Sequence, residues 1–181
     1  MQPESETEQG NSVLKFKVMV IDTRELKKFL EDKDFDGITL QVSQAINNNT
    51  PQDKHKFKLI AYKHFSSKKK QEQITDANFF VNNDGTETYK EVELGDDGVT
   101  SHFGNLKLRR SDLKEEADTS VYPYLVLWPE EGTGDYENYI VYEAFYTNDL
   151  KAAPPHKQTL SRGISTSSTM SLKSINPSPP A

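Results

Sequence analysis

The chain of 181 residues is long enough for one ordinary domain and short for two. Asp and Glu total 28 against 22 Lys and Arg, and this formal net charge of −6 argues against a general nucleic-acid binder, which carries a basic excess. Because cysteine is absent, disulfides, thiolate metal sites and cysteine nucleophiles are excluded. No apolar run approaches the roughly 18 residues of a membrane helix. We expect no membrane insertion and no signal peptide, hence a protein that is cytoplasmic or released without a classical signal.

Composition divides the chain into three zones. Residues 1–12 are polar and hold no basic residue, whereas 151–181 hold seven Ser, three Thr and five Pro with four basic residues and no acid. Such segments bury too little apolar surface to offset the entropy lost on ordering them. We therefore predict disordered ends at 1–12 and 151–181, and one globular domain over 13–150.

Within the domain, short apolar runs separated by turn residues predict mostly strands. In chain order the predicted strands are 13–20, 57–62, 77–81, 89–94, 103–108, 121–128 and 139–146, the last two forming a long hairpin. One helix is predicted near 24–30, where Leu26, Phe29 and Leu30 share a face and Asp22 or Thr23 can cap it. About seven strands with one helix near the front predict an all-β sandwich.

An acidic turn after the predicted helix matches the first half of a calcium loop. Asp32, Asp34 and Asp36 alternate before Gly37, as oxygen ligands of a hard cation do. The twelfth position is Ser43, however, where the loop needs a bidentate Glu. A solvated acidic turn is the preferred interpretation, and a cation site is the alternative.

Other polar residues form no catalytic pattern. The four histidines are scattered, and the sequence contains no nucleophile elbow, phosphate-binding loop or dinucleotide fingerprint. We therefore expect no enzyme and no cofactor. The run Lys68–Lys70, with Lys63 nearby, is a candidate contact for an anionic partner, but a lysine run between strands is more often a solvated loop.

Aromatic residues concentrate between 122 and 146. Strand periodicity places Tyr142 and Tyr146 on one face of the last strand, and Tyr139 and Phe145 on the other. Core packing is the simpler interpretation, and the alternative is an aromatic surface for a sugar ring or a protein partner. For that alternative the candidate ligand-binding residues are Trp128, Tyr136, Tyr142 and Tyr146.

Several of these runs together resemble a known family. The run Ala77–Val81 with its glycine turn, the strand ending at Gly95–Gly98, and the stretches Tyr124–Pro129 and Glu137–Glu143 are similar to the fungal immunomodulatory proteins, the Fve family. Members of that family end on a similar hairpin, with an apolar strand closed by Pro, an acidic glycine-containing turn and a Tyr- and Ile-rich strand.

The resemblance covers about 14–147 and includes a looser match at the opening. Inserted segments lie near 22–33, 63–73 and 111–120. Trp128 stands where the family has an aliphatic residue, and Ala144 where it has Trp.

The resemblance implies an immunoglobulin-like or fibronectin type III-like β-sandwich and a non-covalent homodimer built through the N-terminal segment. It also implies lectin-like binding to glycans or glycosylated cell-surface proteins, with stimulation of immune cells. We accordingly expect a non-enzymatic binding module. The alternative is an intracellular protein-interaction domain whose basic Ser/Thr/Pro-rich tail is the regulated part.

Overall fold

The computed structural model describes residues 12–44, 56–81, 89–94, 105–113, 120–136, 139–150 and 169–175. Within these ranges the strands are β1 (Ser12–Lys17), β2 (Met19–Asp22), β3 (Phe35–Gln44), β4 (Lys56–Phe65), β5 (Glu72–Gln73), β6 (Tyr89–Leu94), β7 (Leu106–Arg109), β8 (Tyr124–Glu131), β9 (Ile140–Thr147) and β10 (Thr169–Ile175). The helix α1 spans Thr23–Leu30, and 3₁₀ turns cover Arg110–Asp112 and Gly134–Tyr136. The prediction of a mainly β fold with little helix is confirmed.

The strands form two sheets. The larger has the order β6-β1-β4-β3-β7, with β5 also paired to β4, and the smaller has the order β10-β9-β8-β2. Only Val18 separates β1 from β2, so the chain passes directly from the larger sheet to the smaller one. β1 runs parallel to β4, and the other strand pairs of the described ranges are antiparallel.

Apolar side chains of both sheets meet in one core. The larger sheet contributes Leu14, Phe16, Ile38, Leu40, Phe57, Leu59, Ala61, Leu106 and Leu108, and the smaller contributes Met19, Ile21, Leu125, Leu127, Ile140, Tyr142, Ala144 and Tyr146. A second, smaller cluster on the other face of the smaller sheet contains Val18, Val20, Val126 and Phe145. Burial of this apolar area is the main favourable term for the fold.

The helix forms where the sequence predicts it. The Asp22 carboxylate accepts a 2.8 Å hydrogen bond from the backbone N–H of Arg24 and so caps the first turn. Leu26 is buried in the core. The centre of the Phe29 ring lies 5.8 Å from the centre of the Phe35 ring and 5.7 Å from the centre of the Phe79 ring. This apolar face, one turn after the cap, holds α1 against the larger core.

A single arginine closes the C-terminal end of α1. The Arg110 guanidinium donates to the carbonyl oxygens of Leu30 at 2.7 Å, Asp32 at 2.7 Å and Phe35 at 3.1 Å. A cation is favourable here because the last carbonyls of a helix lack partners within the helix and carry partial negative charge.

The acidic turn serves the backbone as well. Asp34 accepts hydrogen bonds from the backbone N–H and the hydroxyl of Ser67. These bonds join the residue before β3 to the residues that follow β4. In the described ranges, no three His, Asp or Glu side chains converge as metal ligands would. The contacts of Asp34 with Ser67 are those expected of a polar turn, and the cation site stays the alternative.

The predicted strand at 77–81 is instead a turn. Its backbone joins the edge of β2 through two hydrogen bonds, Asp22 N–H to the Phe79 carbonyl at 3.0 Å and Val81 N–H to the Val20 carbonyl at 2.8 Å. The Phe79 ring is buried in the core. The apolar run thus belongs to a buried turn. In a single sequence, a short apolar run in a buried turn looks the same as one in a strand.

The predicted ends need a correction at one place. Residues Thr169–Ile175, within the tail expected to be disordered, form β10, which pairs antiparallel with β9 from Thr169 opposite Thr147 to Ile175 opposite Tyr142. Main-chain hydrogen bonds to an open sheet edge do not depend on the composition of the whole segment. Of the predicted disordered N-terminus only Ser12 is described, and it begins β1; residues 1–11, 151–168 and 176–181 lie outside the described residues.

The predicted terminal hairpin is present, with β8 continuing three residues past its predicted end. Pro129 lies inside β8 opposite Tyr142, and the turn is closed by a 2.8 Å bond from the Gly132 N–H to the Tyr139 carbonyl. The periodicity correctly grouped the four buried residues Ile140, Tyr142, Ala144 and Tyr146 on the core face of β9.

Replacing Arg110 tests the clamp on α1. We expect Arg110→Gln to lower the free energy of unfolding by about 2 kcal/mol, since hydrogen bonds to charged groups contribute ~1.5–3 kcal/mol. Urea denaturation of the full chain measures the change. The neighbouring Arg109→Gln is the matched control, because that side chain is exposed and we expect a change within ~0.5 kcal/mol. Equal effects of the two substitutions would contradict the clamp.

Tyr142 offers a test of the core. Its ring is completely buried, and its hydroxyl has no hydrogen-bond partner among the described residues. Tyr142→Phe removes that hydroxyl without changing the ring, so we expect stability to rise by about 1 kcal/mol. Thermal or urea unfolding provides the measurement. Tyr146→Phe is the control: its hydroxyl is not an unpartnered group, and a gain equal to that of Tyr142→Phe would argue against our explanation.

Candidate functional site

An open cleft of about 410 Å³ lies on the exposed face of the larger sheet. It is lined by Asp36, Gly37, Ile38, Thr39, His64, Lys107, Leu108 and Arg109. Strand register brings these residues together from distant parts of the sequence: Gly37 lies opposite His64 on one side and Arg109 on the other, and Thr39 lies opposite Lys107. Three strands, β3, β4 and β7, therefore build the cleft.

Gly37 lets the backbones of β3 and β7 approach closely at the cleft. A Cβ at this position would lie 2.4 Å from the carbonyl oxygen of Leu108, which is a backbone atom and cannot swing aside. The strand register also shifts between Phe35 and Gly37, which leaves Asp36 as an extra, exposed residue at the cleft rim. Such bulges re-aim side chains beside binding sites.

His64 and Thr39 form a hydrogen-bonded pair in the cleft. The Thr39 hydroxyl is bonded to Nε2 of the His64 ring. Partial burial lowers the pKa of His64 below its usual 6.5, the positive charge of Lys107 lowers it further, and the charge of Asp36 opposes both effects. The ring is consequently neutral at pH 7.

The Thr39–His64 pair does not have the arrangement of a catalytic nucleophile and base. Thr39 is 3 % exposed, and no carboxylate of the described residues bonds to the other ring nitrogen of His64. A nucleophile of this kind needs an accessible oxygen and a base oriented by a third group. The Thr39 hydroxyl is buried and already hydrogen-bonded to His64, so of this pair only the half-buried His64 ring faces a ligand in the cleft.

Two cations face the cleft without ion-pair partners. Lys107 and Arg109 are alternate, exposed residues of β7, and neither makes a salt bridge with a carboxylate in the part of the chain that the structure describes. Arg109 is held by its backbone, whose N–H donates to the Asp112 carboxylate at 2.8 Å. The guanidinium thus projects from an anchored position and is available to an anionic or hydroxyl-bearing ligand.

Trp128, the first predicted site residue, lies on the opposite sheet. It is half-buried against the second cluster and lies opposite Glu143. The Lys90 ammonium lies 4.9 Å from the centre of its ring, and no residue that the structure describes accepts a hydrogen bond from its buried indole N–H. The ring therefore already has a cation as its neighbour.

The other predicted site residues are not on a described surface. Tyr142 and Tyr146 are 0 % and 2 % exposed and belong to the main core, so neither can stack on a ligand. They face inward because the core side of β9 takes every second residue from Ile140. Tyr136 lies in the 3₁₀ turn after β8, and its side chain falls outside the described residues. None of these four aromatic residues is among the residues that line the cleft, whereas Asp36, a candidate of the alternative cation site, is.

Two of the lysines proposed for an anionic partner, Lys68 and Lys63, already contact the protein itself, whereas Lys69 and Lys70 are exposed. Lys68 and Lys63 lie 2.9 Å and 3.6 Å from the carboxylate of Glu72. The Lys68 ammonium also lies 4.7 Å from the centre of the Phe65 ring. These contacts favour the alternative of a solvated loop that covers the end of β4.

One feature of the cleft is visible in the sequence pattern of β7. In β7, Lys107 and Arg109 alternate with the buried Leu106 and Leu108, which places both cations on one solvent-facing side of a strand. Their meeting with Thr39 and His64 depends on pairing across distant segments, and a single sequence does not report that pairing.

Comparison with known proteins gives no relative. No family model matches the chain, no curated protein matches it, and no solved structure matches it. The resemblance to fungal immunomodulatory proteins accordingly stays a prediction. Among the described residues, no helix has the length and apolar character needed to cross a membrane.

The charges around His64 predict its titration. We expect nuclear magnetic resonance to give a pKa below 6.5 for His64, because burial and Lys107 both disfavour the protonated ring. Lys107→Gln should raise this pKa, and Asp36→Asn should lower it. Since the unfolded chain takes up this proton more readily, the contribution of His64 to stability falls as the pH drops below 6.5. An unshifted pKa that neither substitution moves would contradict the described environment.

Proposed function

We propose that this chain is a non-enzymatic, lectin-like binding module and that the cleft on the larger sheet holds its ligand. The observation that carries this proposal is that β3, β4 and β7 bring hydrogen-bonding side chains together at the cleft: His64, which is held by Thr39, with Lys107, Arg109 and Asp36. A sugar offers many hydroxyls, each able to donate and accept, and a site with both donors and a carboxylate acceptor suits it.

The fold that we propose is an immunoglobulin-like or fibronectin type III-like β-sandwich. It is supported by two mainly antiparallel sheets that share one core and by the direct crossing of the chain between them. Recognition of cell-surface glycans and stimulation of immune cells follow from the resemblance to fungal immunomodulatory proteins and are part of the same proposal.

Homodimer formation remains a further proposal of the resemblance. A test of the homodimer must remove N-terminal residues without unfolding the domain. A deletion up to residue 33 would remove β1 and β2, which supply buried residues to the two sheets, and would therefore unfold the domain. Light scattering on the full chain and on residues 12–181 keeps every described strand and is the appropriate comparison.

An array of neutral and acidic glycans tests the binding site directly. We expect the full chain to bind a subset of glycans, and Arg109→Ala to weaken that binding at least ~10-fold, which corresponds to 1.4 kcal/mol. Because the Arg109 side chain is exposed, the Arg109→Ala variant should have the same melting temperature as the parent protein. Lys27→Ala, on the exposed side of α1, is the matched control and should bind like the parent.

Two outcomes would contradict the proposal. Failure of the full chain to bind any glycan would remove the lectin-like function. Binding that Arg109→Ala leaves intact but Trp128→Ala abolishes, with the fold preserved, would move the ligand site to the smaller sheet.

A second candidate is a protein-interaction domain regulated through its tail. The observation that favours it is β10, which places a strand of the basic Ser/Thr/Pro-rich segment on the edge of β9. Specific capture of a protein by the full chain, lost on deletion of residues 169–181, would support this candidate over the first.

A further inference from the structure

We infer that the ligand is an acidic oligosaccharide, carrying sulfate or carboxylate groups, that lies across the exposed face of the larger sheet from the cleft to the lysines of β1 and β4. This inference rests on the proposed function and specifies the chemical class of its ligand. It also extends the site beyond the cleft to residues that none of the predicted sites included.

The exposed face of the larger sheet is basic although the chain is acidic. Phe57 and Leu59 point into the core, so the alternate residues Lys56 and Lys58 of β4 lie on the outer face. Lys15 of β1 lies directly beside Lys56 in the parallel pairing. Lys17 lies on the same side of β1 but is only 1 % exposed. Together with Lys107 and Arg109, five cations that are at least partly exposed share this face of a chain whose net charge is −6.

Like charges held side by side need an explanation, because they repel. Among the described residues, Lys15 forms a salt bridge with Glu91, at 3.9 Å and with both side chains well exposed, and the Lys56 ammonium lies 5.4 Å from the centre of the Tyr89 ring. Lys58, like Lys107 and Arg109, makes no salt bridge with any carboxylate that the structure describes. An anionic ligand would supply a counter-charge to Lys58, Lys107 and Arg109.

The cations form two groups with a neutral band between them. Lys107 and Arg109 lie at the cleft, Lys15, Lys56 and Lys58 lie at the far end of the sheet, and Ile60 and Tyr62 lie between them on β4. With strands ~4.8 Å apart and ~3.3 Å per residue, Lys107 and Lys58 are roughly 16 Å apart. Both Ile60 and Tyr62 are half-buried, so part of each remains available to the faces of sugar rings.

Two carboxylates at the same site favour a glycan over a nucleic acid. Asp36 is exposed at the cleft rim and Glu91 is exposed beside Lys15. A carboxylate accepts hydrogen bonds from sugar hydroxyls, whereas it repels a phosphodiester backbone that has no donors to offer. The separation of the cations into two groups also suits a ligand with spaced charges better than one with a charge on every unit.

Isothermal titration calorimetry with the full chain tests this inference. The probes are a sulfated heparin tetrasaccharide, the same tetrasaccharide after desulfation and reduction of its carboxyl groups (the desulfated sugar), which leaves it without acidic groups, and a single-stranded DNA oligonucleotide of equal charge. We expect the sulfated sugar to bind at least ~10-fold more tightly than the desulfated one, and added salt to narrow that difference by screening.

Single substitutions locate the ligand on the sheet. Lys58→Gln, outside the cleft, is expected to weaken binding of the sulfated tetrasaccharide about 3-fold to 10-fold, and Arg109→Gln by at least that much. Lys27→Gln on α1 removes the same charge from the chain and should leave the affinity unchanged. The melting temperature of each variant confirms that the fold is retained.

The outcomes separate this inference from the proposed function. Equal binding of sulfated and desulfated sugars would overturn the acidic ligand while leaving a lectin. Loss with Arg109→Gln but not with Lys58→Gln would confine the ligand to the cleft and overturn the extended site. DNA binding equal to that of the sulfated sugar and sensitive to the same substitutions would replace the glycan by a nucleic acid. Binding to no sugar here and to none on the glycan array would overturn the proposed function itself.

Discussion

The fold depends on the passage of the N-terminal strands from one sheet to the other. Phe16 is fully buried in β1 and its ring stacks on that of Phe57 at 5.1 Å, while Ile21 is fully buried in β2 only a few residues later. With Val18 as the single residue between these strands, the two sheets are held together by a continuous piece of backbone. Their separation and relative placement are therefore restricted before any loop contributes.

Local physical chemistry accounts for the parts of the fold that the sequence predicted. Helix α1 has its cap at Asp22 and its apolar stripe at Leu26 and Phe29, all within eight residues. The β8–β9 hairpin likewise joins two neighbouring apolar runs across a glycine-containing turn. In both cases the decisive contacts lie close together in the sequence.

Two kinds of feature are not predictable from the local sequence pattern. Some arise from contacts between distant segments, and one arises because the composition of the tail is averaged over its whole length. Gly37 meets Leu108, and His64 meets Lys107, only through the pairing of β3 with β4 and β7, which no local pattern reports. Thr169–Ile175 was obscured because the surrounding polar residues dominated the composition of the tail. The aromatic residues of β9 were correctly assigned to opposite faces, but periodicity alone did not say that the Tyr142 face is the buried one.

Strand β10 has a consequence for edge-to-edge pairing of the smaller sheet with other chains. An open strand edge is a template for pairing with another chain, and β10 occupies that edge on β9. The edge presented instead is interrupted, because the register shifts between Ser171 and Lys173. An irregular backbone and a lysine are both features that disfavour edge-to-edge aggregation in natural sheets. Strand β10 thus also disfavours aggregation of the smaller sheet through edge-to-edge strand pairing.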